Sequence, residues 1–257
     1  MTLSPSDWHV RFSQQARWTQ DLRNFLYTRA GLFKAERVLD VGCGTGALLP
    51  ELISGHQTSV IGLDINRSSL NYAQSTNSSA ALIRGDAHNL PFADGSYDLT
   101  LCHFLLLWVS NPIRVLEEMV RLTRPGGAVL AIAEPDYGGR IDYPPELERL
   151  GDLQELSLRQ QGADTRLGRR LAAMFNHVGL KSIEFGVLGG QWRISPANID
   201  WQTEWDVLIS DLESISPKEI GLPTQEELED LAIIDRHASQ RGERILFVPT
   251  FYAWGKV

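Results

Sequence analysis

The stretch Val38-Leu39-Asp40-Val41-Gly42-Cys43-Gly44-Thr45-Gly46 constrains this chain more than any other. An apolar run broken only by Asp40 leads into a turn with glycines at 42, 44 and 46. That pattern predicts a buried strand, a glycine-rich turn and a following helix. Without Cβ atoms, the turn can take conformations closed to other residues, and a ligand can lie against the main chain. A helix opening near Thr45 would aim free N–H groups and a positive dipole end at that ligand.

The glycine run alone does not identify the ligand. Gly42-Cys43-Gly44-Thr45-Gly46-Ala47 almost fits the nicotinamide fingerprint, whose third position admits Ala. The neighbouring acids narrow the choice. Asp40 stands two residues before the first glycine, where a carboxylate can reach the N–H groups of the turn or a bound ammonium. It would be poorly placed beside an anionic pyrophosphate. Asp64 ends the next apolar run, Val60-Ile61-Gly62-Leu63-Asp64, at the spacing expected of an acid that bonds ribose hydroxyls. A nucleoside with a cationic or zwitterionic arm satisfies both acids.

On these residues the chain resembles the class I S-adenosylmethionine-dependent methyltransferases. Val38–Gly46 is similar to their first motif, and Gly85-Asp86-Ala87-His88-Asn89-Leu90-Pro91-Phe92 to the adenine-contact segment of their small-molecule branch. Ser96-Tyr97-Asp98-Leu99 and Leu122-Thr123-Arg124-Pro125-Gly126-Gly127 follow in the family's order. The resemblance spans roughly residues 36–135. It implies a Rossmann-like α/β fold: a seven-stranded, mostly parallel sheet with an antiparallel last strand, helices on both faces and helical insertions forming a lid. It implies one methyltransferase domain over 1–257: an N-terminal helical segment (1–35), a cofactor-binding core (36–135) and insertions at 136–165 and 190–243 that shape the acceptor pocket. The cofactor would be S-adenosylmethionine, leaving S-adenosylhomocysteine, with no metal. Asp40, Gly42, Cys43, Gly44, Gly46, Asp64, Ile65, Asp86, Ala87 and His103 would contact it. Asp86 would accept from the adenine amino group, the Ala87 N–H would donate to a ring nitrogen, and Ile65 would pack on one face of adenine. An ordinary Asx-turn also accounts for Asp86.

Composition sets the class of partner. The 257 residues carry a formal net charge of −8, with 43% hydrophobic residues. An acidic chain without a basic stripe is ill suited to nucleic acid or to an anionic membrane surface, so a small-molecule acceptor is expected. The two cysteines, Cys43 and Cys102, fall in or beside apolar runs and read as buried thiols of a cytoplasmic protein. Met1–Trp8 lacks a basic-then-apolar signal, and no apolar run approaches the ~20 residues of a membrane span.

Residues 6–30 read as one helix capped by Ser6 or Asp7, with Phe12, Ala16, Leu22, Phe25 and Leu26 as its core stripe. Arg11, Gln15, Trp18 and Thr19 form a second stripe. It is either a solvated face or a cover for the methionine end of the cofactor, with Arg11 on the carboxylate and Trp18 over the sulfonium. Further strands are expected at Arg37–Val41, Ala80–Ile83, Tyr97–Cys102, Ala128–Ala133 and Lys181–Leu188, and a closing strand at Arg244–Gly255 with Pro249 at a bulge or edge. The helix after the glycine turn is expected to run to about Ser54. His103 leaves the strand Tyr97–Cys102 at the crevice where open α/β sheets bind ligands; it is either a general base or a wall of the site. Glu134 and Asp136 are expected at the mouth of the same crevice. The insertions carry helices at about 146–161, 197–213 and 224–240. Trp192, Trp201 and Trp205 would pack the lid or line the acceptor pocket. A nicotinamide-dependent oxidoreductase would need a hydride-transfer set such as Tyr-x-x-x-Lys, which is absent. A non-catalytic S-adenosylmethionine-binding protein stays open, because alignment catalysis leaves few diagnostic side chains.

Overall fold

Continuous apolar runs become parallel strands because a strand between two neighbours, with helices on both faces, has no solvent side. In the computed structural model, which describes residues 4–54, 58–76, 79–188, 201–213, 215 and 222–257, Val38, Leu39, Val41, Leu101, Leu130 and Ile132 are fully buried. The helices are α1 (Pro5–Trp18), α2 (Gln20–Ala30), α3 (Leu49–Ile53), α4 (Arg67–Thr76), α5 (Pro112–Leu122), α6 (Glu148–Gln160), α7 (Leu171–His177), α8 (Trp201–Glu213) and α9 (Gln225–Arg241). The strands are β1 (Arg37–Val41), β2 (Ser59–Asp64), β3 (Ala81–Arg84), β4 (Tyr97–Cys102), β5 (Thr123–Pro135), β6 (Ile141–Tyr143), β7 (Lys181–Val187), β8 (Ile245–Phe247) and β9 (Thr250–Lys256).

The chain divides into two compact units. The first comprises Met1–Glu134, Leu167–Leu188 and Thr250–Val257. Its seven strands lie in the order β3-β2-β1-β4-β5-β9-β7, and β9 runs antiparallel to β7, as expected of the last strand. The order reverses between β1 and β4, the switch point at which such sheets open a crevice. Register brings the strand ends level: Val41 pairs with Leu63 and with Cys102, Asp64 with Arg84, and Cys102 with Ala131. The glycine turn, Asp64, Gly85-Asp86 and His103 therefore emerge along one edge.

Four elements differ from expectation. The N-terminal helix is two helices that break at Thr19 (φ −103°, ψ 6°), and its cap is Ser4, with Asp7 completing the capping box. The helix after the glycine turn opens at Leu49 rather than near Thr45, with Pro50 in its first turn. β5 takes in the Pro125-Gly126-Gly127 turn, Gly126 having φ +80°. The closing strand is two strands in two sheets. β8 ends before Pro249 and pairs with β6, and β9 joins the main sheet.

The second unit comprises Pro135–Arg166 and Gly189–Pro249. The antiparallel pair β6 and β8 accompanies α6, α8 and α9, with Leu147, Leu150, Leu153, Trp205, Leu208 and Leu212 at its core. Trp201 stacks on Trp205 (5.6 Å, 17°) and donates to Asp235 (2.9 Å), so both rings pack this unit; Trp192 lies outside the described residues. Buried Arg140 and Asp142 pair at 2.5 Å, and Arg244 reaches Asp142 at 2.8 Å and also binds Asp235. Among the described residues, no helix is long and apolar enough to cross a membrane.

Candidate active site

Gly42, Gly44 and Gly46 all have left-handed φ, at +76°, +53° and +79°, which explains why the turn needs them. Gly42 and Cys43 donate backbone N–H to the Leu63 carbonyl (2.7 and 3.0 Å), fixing the turn on β2. A Cβ on Gly42 would fall 2.7 Å from Leu105 Cδ1, and one on Gly44 3.2 Å from Phe12 Cε2. Asp64 uses both carboxylate oxygens on backbone: Oδ2 accepts from Gly44 N–H and Oδ1 from Asn66 N–H, each at 2.8 Å. Asn66 then caps α4 by accepting from Ser68 and Ser69. Ile65 beside it is 63% exposed, unusual for its type.

Asp40 is 2% exposed, and no hydrogen bond to its carboxylate is found among the described residues. Burial first, then Asp64 and Glu51, push its carboxyl up to about 7. A buried acid at the foot of a glycine turn, facing other carboxylates, fits a cationic partner. Cys43 is buried and its thiol is raised, chiefly by burial, so it serves as a small wall rather than a nucleophile.

Of α1, His9 and Phe12 meet the turn. His9 Nδ1 lies 3.0 Å from Thr45 Oγ1, and the Phe12 ring lies over Gly44. The predicted stripe divides: Thr19 is buried and bonds His103, whereas Trp18 faces outward. The Arg11 guanidinium sits 5.4 Å over the Trp8 ring, Gln15 is half-buried, and Trp18 is 53% exposed. Behind the turn runs a buried chain of polar contacts invisible to motif reading. His103 Nε2 meets Thr19 Oγ1 at 2.9 Å, and Arg23 donates to Thr19 Oγ1 and to the Ala16 carbonyl. Arg23 also grips Glu51 of α3 with two bonds (2.6 and 2.7 Å), and Tyr27 donates to the same carboxylate (2.8 Å). A charge at position 23, in step with Phe12, Ala16 and Thr19 on the buried side, was the available signal. Burial, and secondarily Arg23, push the His103 imidazole down to about 3.

Glu134 is not at the mouth. It is fully buried, and its carboxylate accepts the backbone N–H groups of Leu105, Leu106 and Leu107 (3.2, 2.9 and 3.1 Å). That grip holds the segment after His103, where Phe104 takes a left-handed φ of +52°. Asp136 is buried too. Asp86 makes the Asx-turn, its Oδ1 accepting from His88 N–H at 2.9 Å, and Ala87 is buried.

A seven-stranded, mostly parallel sheet with a glycine turn, a buried acid and a second acid at one edge defines a Rossmann-like α/β protein. The chain matches the methyltransferase-domain family over residues 39–131. It is 34% identical over 196 residues to a demethylmenaquinone methyltransferase of Oceanobacillus iheyensis, covering 68% of this chain and 80% of that one. Its fold is similar to a phosphoethanolamine N-methyltransferase of Haemonchus contortus crystallised with S-adenosylhomocysteine (TM-score 0.57, 18% identity, 93% of this chain and 53% of that one). It is equally similar to the [4+2]-cyclase SpnF (TM-score 0.58, 16% identity, 92% and 80%). The chain belongs to the class I S-adenosylmethionine-dependent methyltransferases that act on small molecules.

Proposed function

We propose that this chain holds S-adenosylmethionine at the edge formed by β1, β2, β3 and β4 and passes its methyl group to a small-molecule acceptor in the cytoplasm. The observation that carries the reading is Asp40, a buried carboxylate with no hydrogen-bond partner among the described residues, beside a glycine turn that Asp64 already braces. The fit is chemical. Asp40 suits the ammonium, Gly42, Cys43, Gly44 and Gly46 line the close approach, and Asp64 suits the ribose hydroxyls. Ile65, Asp86 and Ala87 suit adenine. Arg11, Gln15 and Trp18 are assigned to the methionine end on the resemblance alone.

The cofactor supplies a methyl carbon already activated on a sulfonium. The residues of the chain therefore need to align the acceptor and exclude water. His103, bonded at Nε2 and depressed to about 3, acts as a neutral wall rather than a base. On this reading the acceptor nucleophile gives no proton to His103. Segments 136–165 and 190–243, outside the family match, would select the acceptor.

The test is calorimetric titration with S-adenosylhomocysteine, with NADH as control. We expect micromolar binding of the first, weakened at least tenfold in Asp64→Ala. Binding of NADH in its place would overturn the reading. Turnover of S-adenosylmethionine over an acceptor panel separates an enzyme from a cofactor-binding protein without activity.

A further inference from the structure

We propose that His88 is the positioning residue that makes the site selective for a 6-aminopurine, acting through Asp86. The inference rests on the reading of Asp86 as the adenine contact. His88 Nδ1 lies 2.7 Å from Asp86 Oδ1, which also accepts the His88 backbone N–H. The tautomer follows from a fixed donor: the Asn111 backbone N–H points at His88 Nε2 at 3.3 Å, so Nε2 accepts and the ring proton sits on Nδ1. Ser110 Oγ, at 3.3 Å, also approaches Nε2. Arg114 Nε donates to the His88 carbonyl at 3.2 Å, and Asn111 caps α5.

The segment is pinned at its far end as well. Glu118, almost fully buried on α5, accepts the Leu90 N–H at 2.9 Å, and Arg121 donates to the carbonyls of Leu90 and Phe92. Asp86 is thus a half-exposed carboxylate with one oxygen consumed by His88 and no described bond to the other. A carboxylate can only accept. The free oxygen favours an amino group at purine position 6 and disfavours a carbonyl there. An exposed Asp–His pair contributes little to stability, so its effect falls on orientation. Without the ring the carboxylate keeps only the backbone N–H bond, its orientation loosens, and the discrimination falls with it.

The experiment is calorimetric titration of the full chain with S-adenosylhomocysteine and with its 6-oxo analogue, S-inosylhomocysteine. We expect the wild type to favour the amino ligand by about tenfold or more. In His88→Ala, affinity for S-adenosylhomocysteine should fall roughly three- to tenfold while the analogue changes less than about twofold. His88→Asn retains a donor where Nδ1 stood and should keep the wild-type ratio. A wild type that prefers neither ligand overturns the proposal. So does a His88→Ala variant that keeps the full ratio or weakens both ligands equally, and so does an Asn variant no better than Ala. A wild type that binds neither ligand defeats the cofactor reading itself.

Discussion

A histidine at the carboxyl end of a central strand has the ordinary pKa best suited to moving a proton near neutrality, and His103 stands in that place. Its surroundings remove the capacity. Thr19 occupies Nε2, the ring sits edge-on to Phe104 at 4.7 Å, and Arg23 beyond Thr19 opposes a second positive charge. With its conjugate acid near pH 3, the imidazole has little driving force to remove a proton from an alcohol or an ammonium. Glu134 keeps the following backbone in place through three N–H bonds. We expect the His103 ring resonances to stay constant between pH 5 and pH 8, assigned by their disappearance in His103→Gln. A titration step near 6.5 would return the residue to the candidate bases.

Elements whose character is set by short sequence patterns were legible. β1 and β4 fall where continuous apolar runs place them, and the glycine turn follows from three glycines that all take left-handed φ. Elements decided by distant partners were not. At the break, Arg23 bonds Thr19 Oγ1 and the Ala16 carbonyl and also reaches Glu51 in α3, 28 residues on. The closing strand splits because Pro249 cannot donate to a ladder, and the residues on its two sides belong to different sheets. In the site, Asp40 and Asp64 announced themselves by position. The burial of Glu134 and the fixing of the His88 ring were not legible, since Glu134 grips backbone 27 to 29 residues away and His88 Nε2 meets Ser110 and Asn111, 22 and 23 residues on. The same point governs Gly151 in α6. Helix propensity alone favours alanine there by roughly 0.5–1 kcal/mol. A Cβ, however, would fall 2.6 Å from Asp142 Oδ2 and 2.8 Å from Arg140 Nε, both in a buried ion pair. Gly151→Ala should therefore destabilise the protein by about 1–3 kcal/mol. A denaturant midpoint equal to or above the wild-type value would show that the pair can move aside.

Across the whole molecule, buried Asp40 and Glu134 and the part-buried His103 bias stability with pH in opposite senses. Asp40 and Glu134 are each pushed up to about 7, from ordinary values of 3.8 and 4.5, chiefly by burial. The folded chain therefore keeps protons that the unfolded chain has shed. Their penalty is absent below about pH 4 and complete above about pH 7, so stability falls as pH rises through that window. His103 works the other way. The fold holds it neutral, whereas the unfolded chain protonates it below 6.5, so its penalty grows as pH falls from 6.5 toward 3. Between pH 6.5 and 8 the histidine contributes only a few tenths of a kcal/mol in the opposite sense and the two acids dominate, for a net loss of roughly 1–2 kcal/mol. For a chain of this size that is a fall of a few degrees in melting temperature. Asp40→Asn should reduce the fall, because an amide at that position has no proton to lose. Saturating S-adenosylhomocysteine should also reduce it, since an ammonium beside Asp40 favours the ionised carboxylate. Calorimetric titrations at pH 6.5, in buffers of different ionisation enthalpy, should then show proton release on binding in the wild type and none in Asp40→Asn. Equal proton release in the two proteins would remove Asp40 from the ammonium site, even if the glycine turn and Asp64 still held the nucleoside.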